Sequence, residues 1–295
     1  MKITKTFVSV FLATFLIGYV SVLPAKRVSE PIKVVESSPK EIPSPKLEKI
    51  PELETIEEVN SWFNEKYPFK IKLLETGEGF HGDEINAKSG ETWLGLFEDK
   101  GEFYLRSTKL KVKRVHDPIV DEDIKIKTGK SVEASGKNEP LFLTKNAANL
   151  SEGKVSTIFK GVTWNEYDKN PALKDLYSDE VFTYIKKDFN QTYEIAGKKL
   201  RLSVIEAKNK DNQKILALTL DSDRKRQVLH TIYADGYPEL GTLFWIGDLD
   251  RDGGADFYLE LFEHENSSVK VLFLSSQADK DKLVKKVAYF WTSGC

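Results

Sequence analysis

One cysteine, Cys295, and one methionine, Met1, are all the sulfur in this 295-residue chain. A single thiol closes no internal disulfide, so packing or a bound ion must supply whatever stability cross-links would have given. A cysteine at the last position also fits none of the cysteine-nucleophile signatures, and a core without methionine lacks the adaptable packing of thioethers. Histidine is scarce: His81, His116, His230 and His264 share no spacing. Neither a His-Glu-x-x-His zinc helix nor a Gly-x-Ser-x-Gly nucleophile elbow occurs. Positive charge is not concentrated either, because the net charge is −2 and the basic stretches 109–114 and 224–226 are short, reading as solvated strand and turn faces. Nucleic acid is thereby excluded as a partner.

Two nucleotide-binding patterns fail on context. Gly77-Glu-Gly79-Phe-His-Gly82 has the letters of a dinucleotide turn, but the residues after it are turn-like and offer no helix N-terminus for a phosphate, so a flexible loop is expected. Thr128-Gly-Lys-Ser131 would need the first glycine of a P-loop at the position held by Ile124.

The chain has a single long apolar run, Phe7 to Leu23, preceded by Lys2 and Lys5 and followed by Pro24-Ala25-Lys26-Arg27. Residues 1–25 therefore read as a signal peptide or a signal anchor, and 7–23 as a possible membrane tether; the chain is expected to be exported, to periplasm, cell surface or medium. No cysteine follows the run, which excludes a lipid anchor there. Residues 26–53 carry Pro31, Pro39, Pro43, Pro45 and Pro51 among Lys, Glu and Ser, the composition of an extended spacer reaching up to about 85 Å.

Near the C-terminus stands Asp248-Leu-Asp250-Arg-Asp252-Gly253-Gly254-Ala-Asp256. Alternating aspartates on a tightly curled backbone turn carboxylates toward one point, as a hard divalent cation requires, and calcium takes six to eight oxygens. Asp248, Asp250 and Asp252 are the expected side-chain ligands, Gly254 a carbonyl ligand, and Asp256 a ligand directly or through water. Gly253 is expected at a turn position where a Cβ would clash. The same letters also suit an ordinary solvated hairpin turn. Position 12 of an EF-hand would be a glutamate, whereas here it is Leu259, and the flanks 241–247 and 257–262 read as strands rather than helices. The loop resembles the Asp-x-Asp-x-Asp-Gly-x-x-Asp loops of integrin-type (FG-GAP and VCBS) repeats, although a single copy implies a metal loop and not a propeller. Together with Gly90–Phe97, Lys111–Pro118, Leu272–Ser276 and Gly294-Cys295, it is also similar to a family of bacterial exported proteins of unknown function, over most of the chain after residue 54.

A hydrophobic share of 40% and an aromatic share of 11% suffice for a core. Thr55-Ile-Glu-Glu58 is a capping box, and Ile56, Val59, Trp62, Phe63 and Tyr67 recur at helical spacing, predicting an N-terminal helix. Asn170-Pro171 predicts a short second helix reaching Tyr177. Segments near 70–75, 92–97, 102–106, 109–115, 140–143, 155–164, 181–186, 199–207, 214–221, 227–233, 242–247, 256–262, 268–274 and 284–291 read as strands, with clear alternation in Leu200, Leu202 and Val204 and in Leu216, Leu218 and Leu220, and with short loops from about residue 199 onward. The expected class is mainly β (α+β), with antiparallel meander sheets. The polar stretch 121–138 suggests an N-terminal β-rich part over 54–135 and a C-terminal meander over 136–295.

Three functional readings follow. The first is an exported, non-enzymatic module with one structural calcium ion, binding a protein or glycan of the cell envelope. The second is an exported hydrolase of envelope polysaccharide or peptide, with acid–base carboxylates drawn from Asp117, Asp121, Glu122 and Asp123 or from His81-Gly-Asp83-Glu84. The third is a sugar-binding module presenting Trp93, Trp164 or Trp245. Asn149, Asn190 and Asn266 head sequons that matter only in a secretory eukaryotic host.

Overall fold

The computed structural model of the protein describes residues 69–222, 225–236, 239–262 and 267–293. The expected signal segment, spacer and N-terminal helix lie outside these residues, as do Arg224, His264, Asn266 and Cys295. Among the described residues no helix is long and apolar enough to cross a membrane.

Strand-forming residues dominate, and all the pairing is antiparallel. The larger sheet runs in the order β1 (Lys72–Leu74), β6 (Pro140–Lys145), β3 (Thr92–Asp99), β4 (Glu102–Val115), β7 (Gly153–Lys160), β13 (Glu239–Asp248), β14 (Asp256–Leu261), β15 (Ser267–Leu274) and β16 (Lys285–Ser293). β1 and β16, the two ends of this order, lie side by side, so the sheet curls round on itself. β5 (Gly129–Ala134) extends it beside β4, β2 (Gly77–Phe80) pairs with β5, and β8 (Tyr184–Lys186) pairs with β13. A second sheet has the order β12 (Arg226–Tyr233), β11 (Lys214–Asp221), β10 (Lys198–Lys208) and β9 (Asn190–Ile195). Three short helical turns, α1 (Trp164–Lys169), α2 (Pro171–Lys174) and α3 (Ser178–Val181), connect β7 to β8.

The expected meander from residue 199 onward is therefore shared between two sheets, since β10 to β12 lie in one and β13 to β16 in the other. The expected division at 135 falls between β5 and β6, strands of the same sheet. Gly77-Glu-Gly79 belongs to strand β2 rather than to a flexible loop. The second helix does start at Asn170, whose side chain accepts from the Ala172 N–H, but it stops at Lys174 instead of Tyr177. Arg226, expected on a solvated turn face, instead donates from Nε to Asp221 Oδ1 at 2.6 Å, beside Arg201 on Asp221 Oδ2 at 2.7 Å.

Two cores follow from this layering. Inside the curled sheet, Leu96, Leu105, Phe142, Trp245, Tyr258 and Leu272 pack together. Between that sheet's outer face and the second sheet lie Leu202, Leu216, Leu218, Leu220, Phe257, Leu259, Val271 and Phe273. Strands β14 and β15 face both cores, and all six residues of β14 are buried. A strand covered on both faces carries apolar residues on both, which is why Phe257-Tyr-Leu259 shows no alternation.

One ionic group sits within the inner core. Lys270 is 6% exposed, with Nζ 3.6 Å from a carboxylate oxygen of Glu75 and 3.6 Å from one of Glu260. Tyr258 donates to Glu75, and Trp164 Nε1 donates to Glu260 Oε2 at 2.6 Å. Burial disfavours the charged amine, yet Glu75 and Glu260 outweigh it and hold the Lys270 pKa above the ordinary lysine value. Lys270→Met would leave two carboxylates buried without a cation, and the expected loss is about 3–5 kcal/mol of unfolding free energy in urea titration.

His230 is fully buried on β12 and donates from Nε2 to the Phe262 carbonyl at 2.9 Å, while Nδ1 has no partner among the described residues. Burial pushes its pKa from 6.5 down to about 4. Below pH 6.5 the unfolded chain thus takes up a proton that the folded chain refuses, so stability is intact above that pH and is lost as pH falls through about 4. The loss amounts to about 3 kcal/mol at the limit. His230→Gln keeps a donor toward Phe262 and does not titrate; its unfolding free energy should fall by about 3 kcal/mol less than wild type between pH 7 and pH 3.5.

Candidate metal centre

The aspartate loop joins β13 to β14 across the two cores. Leu249 packs into the inner core and Ala255 into the outer one, fixing both ends of the turn. Asp248 closes β13, Asp256 opens β14, and Gly247 is the cross-strand partner of Asp256. Two residues in between take left-handed backbone, Arg251 with φ 63° and Gly253 with φ 80°. At Gly253 a Cβ would meet nothing within 4 Å, so glycine is favoured there by the positive φ and not by the expected clash. The clash belongs to Gly254, whose Cβ would lie 2.2 Å from Ser275 Oγ and 2.6 Å from Ser275 Cβ.

Asp256 is completely buried. Its Oδ2 accepts from the Leu249 N–H at 2.7 Å and its Oδ1 from the Ser275 N–H at 2.8 Å, tying the loop to the β15–β16 connection. Asp248 Oδ2 accepts from the Gly253 N–H at 3.0 Å. Asp250 Oδ2 accepts from Asn149 Nδ2 at 2.8 Å and from the Ser276 hydroxyl. The second oxygens, Asp248 Oδ1 and Asp250 Oδ1, are buried and have no partner among the described residues. One carboxylate oxygen each from Asp248, Asp250 and Asp256 lies within 4.8 Å of the others. That is the span of oxygens across a calcium ion bound at about 2.3–2.6 Å.

Asp252 stands apart from this group, with Oδ1 accepting from the Gly254 N–H at 2.6 Å and from Ser275 Oγ at 3.0 Å. The structure therefore brings together three of the four expected aspartates and ties the fourth to the loop's rim. Arg251 points away from them, with Nη2 donating to the Ser151 carbonyl at 2.8 Å and Nη1 to the Glu152 carbonyl at 3.2 Å. Gly153 makes room for it, since a Cβ there would lie 2.3 Å from Nη1.

The electrostatics of the group are one-sided. Burial pushes the Asp256 pKa up to about 8, with Asp250 adding to the rise against the hydrogen bonds from Ser275 and Leu249. Burial also raises Asp248, helped by the charges of Asp252 and Asp250. Five acidic residues are buried among those described: Asp117, Asp121, Asp221, Asp256 and Glu260. Four face a basic side chain, namely His81 at 2.6 Å, His116 at 3.7 Å, Arg201 with Arg226, and Lys270. Asp256 has no ion pair among the described residues.

Several of the other nominated residues are engaged in hydrogen bonds within the fold. Asp117 accepts from His81 Nδ1 at 2.6 Å and from the Ile119 N–H at 3.1 Å. Asp121 accepts from the N–H groups of Asp117 and Thr128. Glu84 binds the His81 N–H at 2.8 Å and the Ser293 N–H at 2.6 Å. Trp93 and Trp245 are core residues at 4% and 0% exposure, and Trp164 stacks on Phe182 at 3.9 Å between ring centroids. None of the three is a free platform for a sugar. Sequence reasoning missed Asn149, Ser275 and Ser276, which approach the loop from two distant connections. Polar residues in loops carry no signal of what they face.

The chain matches no family model, no curated protein and no solved structure.

Gly254→Ala should force Ser275 off the loop and cost about 1–3 kcal/mol, whereas Gly253→Ala should cost about 1 kcal/mol through backbone strain alone. Urea unfolding of the two variants, each with and without calcium, measures both.

Proposed function

We propose that this chain is an exported, non-enzymatic β-rich module in which one calcium ion staples the β13–β14 turn to the β15–β16 connection, and that it serves as an interaction module of the cell envelope or the medium. Asp248, Asp250 and Asp256 hold the ion through carboxylate oxygens, the Gly254 carbonyl completes the protein ligands, and Asp252 acts at the rim, directly or through water. The observation that carries this reading is the buried Asp256, the one buried acid among the described residues without a basic partner, set beside the orphaned oxygens of Asp248 and Asp250. Carboxylates held this way favour a cation, because unpaired buried charge is costly and a hard ion takes oxygen ligands. The ion's role is structural. A sensor would need a helix pair that opens, and this loop joins two strands covered on both faces. Affinity in the range of extracellular modules, ~10⁻⁴ to 10⁻³ M, would suffice.

Thermal unfolding of the chain in calcium and in chelator tests the reading, with Asp250→Asn alongside. At calcium ten times above Kd the stabilisation is about 1.4 kcal/mol, a rise of roughly 3–5 °C in the midpoint for a body of this size. The variant should lose that rise, yet in chelator it should melt no lower than wild type, because it keeps an acceptor for Asn149 and Ser276 while removing a charge that opposes those of Asp248 and Asp256. Equal midpoints for wild type in calcium and chelator would contradict the proposal.

A further inference from the structure

The connection between β4 and β5 carries an unusual load of exposed aliphatic side chains. Ile119, Val120, Ile124 and Ile126 are 61, 59, 70 and 45% exposed, half of the large hydrophobic residues exposed among those described. Scattered exposed aliphatics are ordinary, but four on one short connection are a patch.

The backbone beneath them is fixed. Asp117 Oδ1 accepts from the Ile119 and Val120 N–H groups at 3.1 and 3.3 Å, while its Oδ2 takes the His81 ring at 2.6 Å. Asp121 Oδ2 accepts from the Asp117 N–H at 2.8 Å and the Thr128 N–H at 3.0 Å, closing the neck of the loop. Asp123 Oδ1 accepts from the Lys125 N–H at 2.8 Å, and the Ile126 N–H donates back to the Asp123 carbonyl at 2.8 Å. Two buried aspartates thus hold a turn whose apolar side chains face outward.

We propose that this loop inserts into the surface of a lipid bilayer, its aliphatic tip entering the acyl-chain boundary while Arg114, Lys125 and Lys127 meet anionic headgroups. Those three cations are exposed and make no ion pair among the described residues; of the two exposed acids on the loop, Asp123 is turned back onto its own backbone and Glu122 stands beside it, which leaves the exposed groups one positive charge ahead. The exposed apolar side chains of this connection are all aliphatic, so it suits a fluid layer that needs no shaped pocket. A loop already locked also loses little freedom on insertion. The same chain carries the apolar run Phe7 to Leu23 and a long proline-rich spacer, which would let the folded part lie back on a membrane. This inference is independent of the calcium reading.

The test uses the full chain with Cys295→Ser, carrying an environment-sensitive dye on Ile124→Cys or, as a control, on Lys199→Cys of the second sheet. Each is mixed with vesicles of phosphatidylcholine, alone or with roughly a third phosphatidylglycerol. The expected result is a blue shift at 124 that brominated lipid quenches, stronger on anionic vesicles, with no change at 199. Adding Lys125→Gln and Lys127→Gln should move the anionic-vesicle titration to about tenfold more lipid. An unchanged spectrum at 124 on vesicles that carry the protein down in sedimentation would overturn the proposal. So would a blue shift at 124 that needs no lipid and fades on dilution, which would make the patch a contact between copies of the chain.

Discussion

Burial of both faces of β13, β14 and β15 is the constraint on which the rest of this structure depends. The inner face closes the curled sheet around Trp245, Tyr258 and Leu272, and the outer face receives the second sheet through Phe257, Leu259 and Val271. Water is thereby excluded from both sides of three adjacent strands. An acid or base that must occur there needs a partner, because an unpaired buried charge costs more than a paired one contributes. The aspartate turn lies at the end of two of these strands, with Leu249 in one core and Ala255 in the other, so Asp256 is carried into the same dry region.

The chain meets this demand in two ways. Elsewhere it neutralises buried acids with its own bases: Lys270 lies between Glu75 and Glu260, Arg201 and Arg226 flank Asp221, and His81 covers Asp117. At the turn the described residues supply only N–H and hydroxyl donors to Asp256, and they leave one oxygen of Asp248 and one of Asp250 unpartnered. That contrast within one molecule is a stronger argument for an external cation than the spacing of the aspartates, since Asp and Gly are common in any turn. It also accounts for the neighbours. Asn149 and Ser276 hold Asp250 and Ser275 holds Asp256, with one oxygen of each within 4.8 Å of one of Asp248.

Much of this was legible from the sequence. The β-branched and aromatic segments located most strands, with Lys214–Asp221 falling where the alternation of Leu216, Leu218 and Leu220 put it. The aspartate repeat marked the turn correctly. β2, β5 and β9 were missed because Gly77-Glu-Gly-Phe80 and Asn190-Gln-Thr-Tyr-Glu-Ile195 are polar edge or near-edge segments whose strand form comes from pairing and not from propensity. The assignment of successive strands to two sheets was also invisible, since a short loop shows that neighbours are antiparallel but not which of two stacked sheets each one joins. Arg226 looked solvated because its partner Asp221 lies across a turn, and charge in a sequence does not reveal burial. Asp252 looked equivalent to its neighbours in spacing, and its bonds from the Gly254 N–H and the Ser275 hydroxyl set it apart.

The central claim is that three aspartates converge on one cation site. Isothermal titration of the chelator-treated chain with calcium tests it most directly. One ion per chain is predicted, with Kd between about 10⁻⁴ and 10⁻³ M and no binding heat in Asp256→Asn. No saturable heat up to about 10 mM calcium, a concentration well above that range, would contradict the account and leave the turn held by its hydrogen bonds alone.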